Sequence, residues 1–205
     1  MFAKKIVSEL YSWSKAIIFA IVLALIISIF IIQPFTVSGI SMEPTLDGGN
    51  PMDQEQKGDR LLVFKTPYLL GKMPEYGDIV IIDSRVNRSR TIKDDILESP
   101  LITLFTNSPE EEVAWVKRVI GKPGDEIKIE DGQLYRNGEA LAEGYISEKM
   151  ESDMEPTIVP NDKIFVMGDN RNHSTDSRVI GSVPVENVLG KVVLRFYPFD
   201  KIEIF

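Results

Sequence analysis

Residues 16–32 read AIIFAIVLALIISIFII, seventeen residues in which Ser28 is the only polar side chain. As a helix this run rises about 25 Å, close to the roughly 30 Å hydrocarbon core of a bilayer. A buried helix of a soluble protein carries a polar stripe or a shorter apolar run. A cleaved secretory signal has an apolar region of about 7–15 residues followed by a small-x-small site, and Gln33, Pro34, Phe35 and Thr36 offer no such pattern. The run therefore reads as a retained transmembrane anchor, with Trp13 and Phe35 as interfacial residues and Lys15 able to reach the headgroups. Lys4, Lys5 and Lys15 precede it, opposed only by Glu9. Basic residues stay on the cytoplasmic side, so residues 1–15 are expected in the cytoplasm and residues 33–205 outside the plasma membrane, on a single-pass chain.

What lies beyond the anchor is acidic. Of 23 basic and 31 acidic residues, 20 and 30 belong to residues 33–205, a net charge of −10. That balance argues against nucleic acid as a partner. With 205 residues, the chain has room for one ordinary domain outside the membrane. There is no cysteine and one histidine, His173. Disulfides, thiolate nucleophiles and multi-histidine metal sites are thereby excluded.

The outer part is punctuated by glycine, proline and Asp-Gly signals between short runs rich in Val, Ile and Phe. Strands are expected at 60–65, 78–83, 113–120, 126–130, 133–135, 163–167, 192–197 and 201–205. Asp131-Gly132 and Asn137-Gly138 mark tight turns, the first within a hairpin. No outer segment sustains a helical repeat over three turns, so the fold class is mainly β behind one N-terminal transmembrane helix. Residues 84–112 read as an insertion with a solvated charge mixture, and 92–105 as a short helix or an extra hairpin. The recurrence of Met42-Glu43-Pro44-Thr45 as Met154-Glu155-Pro156-Thr157 has no wider self-similarity around it and reads as coincidence.

Three clusters carry chemistry. Ser41 lies in SGISMEPT, residues 38–45, a segment that begins six residues beyond the apolar run. Gly39 permits unusual torsions there and Pro44 keeps a helix from starting. A plain turn serine has the same local appearance. A serine nucleophile needs a base, and without a second histidine the choice is His173 or a neutral lysine. Lys117 lies in VAWVKRVI, residues 113–120. Strand alternation places it with Val113, Trp115 and Val119, and places Arg118 with Ala114, Val116 and Ile120. Burial there would lower its pKa from about 10.4; a strand-edge lysine whose head reaches water fits the same residues. The third cluster, GDNRNHSTDSR at 168–178, follows an apolar strand. It is either a solvated turn or a polar scaffold in which acid–guanidinium pairs fix the loop, and a His173–serine pair oriented by Asp169 or Asp176 also fits the spacing.

Together SGISMEPT (38–45), GDIVIID (77–83), VKRVIGKPGD (116–125) and GDNRNHSTDSR (168–178), in this order behind an N-terminal anchor, resemble the bacterial type I signal peptidases. These are membrane-anchored serine–lysine proteases of protein export, and one anchor resembles their Gram-positive form. Residues 84–112 and 139–160 lie outside the motifs. The resemblance implies a β-sheet-rich catalytic domain and removal of signal peptides from exported preproteins, beside the lipid bilayer and the export machinery, without metal or cofactor. It implies Ser41 as nucleophile, Lys117 as general base and Ser174 as the serine that orients the lysine. Asp176 with Arg178, and Arg118 with Asp169, match two structural ion pairs, and His173 falls at a free position. The oxyanion hole would use the Ser41 backbone N–H; Gly39 stands where some members add a serine, leaving Ser38 or a backbone group as second donor. The competing reading is a catalytically silent, membrane-tethered β scaffold that binds signal peptides or export components.

Overall fold

The computed structural model describes residues 2–49, 58–99, 102 and 114–205. The first element is one long helix, α1 (Phe2–Phe30). Within it Glu9–Phe30 is long and apolar enough to cross a membrane, and its large apolar side chains, Ile17, Phe19 and Ile21 among them, are exposed. The helix stops two residues short of the end of the apolar run, because Ile32 already pairs in a strand. That strand, β1 (Ile32–Thr36), runs antiparallel to β2 (Arg60–Phe64), with Ile32 opposite Phe64. It lies at the sheet edge, where the missing N–H of Pro34 is tolerated. The junction is pinned by the Thr66 hydroxyl, which donates to the Phe30 carbonyl at 2.7 Å, and by Lys65 N–H, which donates to Ile31 O at 2.9 Å.

The rest is mainly β. The strands that follow are β3 (Ile79–Asp83), β4 (Ala114–Gly121), β5 (Glu126–Glu130), β6 (Gln133–Arg136), β7 (Glu139–Ala140), β8 (Met154–Ile158), β9 (Lys163–Met167), β10 (Val183–Pro184), β11 (Val188–Tyr197) and β12 (Glu203–Ile204). One sheet has the order β1-β2-β11-β3-β4-β9-β10, with β12 on β11; the other has the order β7-β6-β5-β8. The two tight turns form as the sequence suggests. Asp131 and Gly132 have φ of 52° and 74° between β5 and β6, and Asn137 and Gly138 have 54° and 81° between β6 and β7. Both residues at positive φ is the geometry that suits two-residue hairpin loops.

Strand β4 follows the expected alternation. Trp115 and Val119 join Val80, Ile82, Val166 and Val183 in one apolar cluster. Val116 packs on a second cluster that includes Val37, Met42, Leu46, Ile79 and Ile81. Ile120 contributes to a third with Ile127, Ile129, Leu134 and Phe165. Met42 and Leu46 are fully buried, and burial of side chains this size contributes about 1.5–3 kcal/mol each. They fasten the loop carrying Ser41 to the sheet.

The repeated Met-Glu-Pro-Thr is a turn with a fully buried Met42 in its first copy and part of β8 in its second, so the copies share no structure, in keeping with a chance recurrence. One expectation needs correction. The charges of the 84–112 segment are not merely a solvated surface. Short helix α2 (Ile92–Leu97), capped by Thr91 and Asp94, is docked by Arg90, which pairs with Asp83, Asp95 and Glu98. Lys65, 1% exposed, donates to Asp95 and Gln33 at 3.3 and 3.2 Å, and burial lowers its pKa. The remainder of the 92–105 expectation falls largely on residues outside the described ones.

Candidate active site

The loop after β1 and strand β4 bring Ser41 and Lys117 together. Gly39, at φ 79°, makes the turn that a side chain would strain, and Gly48 packs on the Gly39 backbone so closely that a Cβ would lie 1.9 Å from its carbonyl oxygen. Lys117 lies opposite Val80 on β3. Its Nζ is 2.9 Å from Ser41 Oγ and 3.0 Å from the Val116 carbonyl oxygen, and the residue is 3% exposed. Burial disfavours the ammonium and pulls its pKa down to about 8. The carboxylates of Asp176 and Asp169 oppose that shift and the Arg178 guanidinium adds to it. Nζ also lies 5.6 Å from the centre of the Trp115 ring. A neutral amine at this distance is positioned to accept the serine proton.

The loop at 168–178 closes the site from the other side, and its two expected ion pairs are both made. Arg118 Nε and Nη2 donate to the two oxygens of Asp169 at 2.8 and 2.6 Å, and Thr45 Oγ1 donates to the same carboxylate at 2.5 Å. One carboxylate thereby joins β4, the Ser41 segment and the loop. Arg178 Nε and Nη2 donate to Asp176 at 2.9 and 2.8 Å, while Asp176 also accepts from Gly168 N–H at 3.0 Å and caps helix α3 (Ser177–Ile180). Gly168 has no room for a side chain: a Cβ there would lie 2.3 Å from both Ser174 Oγ and Ser41 O. Ser174 is thus close to the Ser41 backbone, but its hydroxyl is buried without a hydrogen-bond partner and does not bond Lys117 in this geometry. His173 is exposed and its Nδ1 lies 3.2 Å from Asn170 Oδ1 rather than facing a serine. Ser38 is exposed. No cluster of metal-ligating side chains occurs among the described residues.

One supporting group lay outside the sequence motifs. Arg171 is wholly buried, and its Nη1 and Nη2 donate to Glu143 at 2.7 and 2.6 Å while its Nε donates to Gly168 O at 3.1 Å. Tyr145 donates to the same glutamate at 2.6 Å, and its ring lies 4.0 Å from the guanidinium of Arg118. Residues 143–145 therefore brace both Arg118 and the loop. Arg171 stood in the motif, but nothing local in the sequence pointed to a partner 28 residues away. Removing one partner of a buried pair costs about 3–5 kcal/mol. Glu143→Ala is accordingly expected to lower the thermal midpoint of the full chain in detergent micelles by about 10 °C; an unchanged midpoint would contradict the bracing role.

The family model for "Signal peptidase, peptidase S26" matches residues 10–197. The chain is 38% identical to signal peptidase I of Bacillus licheniformis, over 95% of this chain and 92% of that one. It is 35% identical to signal peptidase I T of Bacillus subtilis, over 97% and 91%. A crystal structure of a signal peptidase I from Enterococcus faecalis matches at 27% identity and a TM-score of 0.42, covering 58% of this chain and 97% of that one. The protein therefore belongs to the signal peptidase family, peptidase S26, and is a serine peptidase of the bacterial type I group.

Proposed function

We propose that this protein is a membrane-anchored endopeptidase that removes N-terminal signal peptides from exported preproteins, with Ser41 as nucleophile and Lys117 as general base. The observation that carries the reading is the 2.9 Å contact between Ser41 Oγ and a lysine amine that is 3% exposed. Burial holds that amine near a pKa of 8, so a useful fraction is neutral at ordinary pH.

Neutral Lys117 takes the proton of Ser41 as Oγ attacks the scissile carbonyl carbon. The developing oxyanion meets the Ser41 N–H, with Ser38 Oγ as the candidate second donor. A well-placed donor of this kind contributes about 3–4 kcal/mol. Protonated Lys117 then supplies the leaving amine with its proton. A water deprotonated by Lys117 hydrolyses the acyl-enzyme and frees Ser41. Asp169 with Arg118, and Asp176 with Arg178, hold the loop. Ser174, beside the Ser41 carbonyl, has the role of orienting the lysine.

The substrate binds in extended form along a strand. In this reading residues 1–15 are cytoplasmic, residues 16–32 form the anchor, and residues 33–205 are the extracytoplasmic catalytic part with 84–112 as its insertion. The bilayer and the export machinery are its surroundings. Membranes carrying the full chain, incubated with a labelled precursor, are expected to release the mature protein, and membranes carrying Ser41→Ala are not. A precursor that is bound but left intact by the native chain would favour the scaffold instead.

A further inference from the structure

The Ser41 N–H is half of a peptide unit whose other half is the Ile40 carbonyl. In a trans peptide the two point in opposite directions, so whatever holds the carbonyl aims the N–H. Two donors hold it here: the Glu43 N–H at 3.1 Å and Asn170 Nδ2, also at 3.1 Å. The same asparagine donates its own N–H to the Ser41 carbonyl at 3.1 Å. It thus grips the chain on both sides of the nucleophile. The Ser41 N–H has no protein acceptor among the described residues and faces away from these donors.

Asn170 is itself oriented. Since Nδ2 faces the Ile40 carbonyl, Oδ1 faces His173, 3.2 Å from Nδ1. An amide oxygen only accepts, so His173 Nδ1 carries the proton and donates. The His173 N–H also donates to the Asn170 carbonyl at 3.1 Å, which ties the two residues through the backbone as well. The chain of contacts runs from imidazole to amide to peptide carbonyl to the N–H at which an oxyanion forms. Hydrogen bonds linked in this way polarise one another.

We infer that Asn170 is a positioning residue for the oxyanion donor, aiming and polarising the Ser41 N–H through the Ile40 carbonyl, and that His173 sets the orientation of the Asn170 amide. This rests on the reading of Ser41 as the nucleophile. The effect belongs to the transition state, because the N–H bonds most strongly to the charged tetrahedral oxygen. The loss on substitution therefore falls on kcat and leaves KM nearly alone.

The test uses the full chain in detergent micelles and a labelled precursor. Asn170→Ala is expected to lower kcat by about 10-fold or more, less than outright loss of a donor would, with KM within about twofold. His173→Leu is expected to lower kcat about threefold. His173→Asn, whose amide can donate from near the place of Nδ1, is expected to restore it. A merely structural role for Asn170 would lower the thermal midpoint and leave the kcat of the folded fraction unchanged. The inference is overturned if kcat of Asn170→Ala stays within twofold of the native chain, if the loss lies in KM, or if His173→Asn is no better than His173→Leu. A native chain that does not cleave the precursor overturns the functional reading and this inference together, whereas a cleaving native chain with an unimpaired Asn170→Ala variant overturns this inference alone.

Discussion

Lys117→Ala is expected to lower kcat/KM for precursor cleavage by about 10⁴-fold or more, and Ser41→Ala by a similar factor. The two losses should not add, because nucleophile and base act as one unit. The double variant should retain only the residual rate that substrate binding and the oxyanion donor provide. Lys117→Arg should be as inactive as Lys117→Ala. Its guanidinium keeps the positive charge at any working pH and cannot accept the Ser41 proton. The same assay places His173 in a different class. Its exposed ring sits by Asn170 and not by Ser41, so His173→Ala should cost about threefold, the amount expected for a blurred oxyanion donor. If His173→Ala were as inactive as Ser41→Ala, a lysine base would be the wrong mechanism.

Lys117→Met should make the protein more stable while leaving it inactive. Burial holds the Lys117 pKa near 8, below its usual 10.5. The unfolded chain therefore binds this proton more tightly than the folded one. Between about pH 8 and 10.5 the unfolded state carries more protons, so stability rises with pH across that window. Well below pH 8 both states are protonated, and the folded state bears the whole cost of a buried ammonium, about 3 kcal/mol for a shift of this size. A methionine of similar length removes that cost. At pH 6 the variant is expected to be about 2–3 kcal/mol more stable, the lost hydrogen bonds to Ser41 and Val116 taking back part of the gain. The gap should shrink as the pH approaches 10. Thermal unfolding in micelles at pH 6 and at pH 10 checks this, and a variant less stable than the native chain at pH 6 would show that the amine is not held in a desolvated site.

Much of this arrangement was legible because it depends on local pattern. The alternation of residues 113–120 put Lys117 among Trp115 and Val119, and those two residues do share an apolar cluster. The Asp-Gly and Asn-Gly pairs marked hairpin turns because positive φ is a property of the residues themselves. Strand β1 was hidden by its own sequence, since it follows the helix after one residue and contains Gln33 and Pro34. Strand β8 was hidden because Pro156 interrupts a short, largely exposed run; its pairing with β5 is what makes it a strand. The Arg171–Glu143 pair, the Arg90 network and the Asn170 grip on Ile40 depend on contacts between distant segments. No spacing rule reports those. Ser174 was identified through the motif, and its proximity to Ser41 emerges only from the narrow space around Gly168.

Activation of Ser41 by a neutral Lys117 is to be read from the pH dependence of kcat/KM in the His173→Ala variant. The chain has no cysteine and this is its only histidine, so that variant has no side chain whose ordinary pKa lies between about 5 and 9. The rate is expected to rise about tenfold per pH unit below a midpoint near 8, the pKa to which burial brings Lys117. A rise that vanishes with the histidine, or a midpoint near the ordinary lysine value, would contradict it.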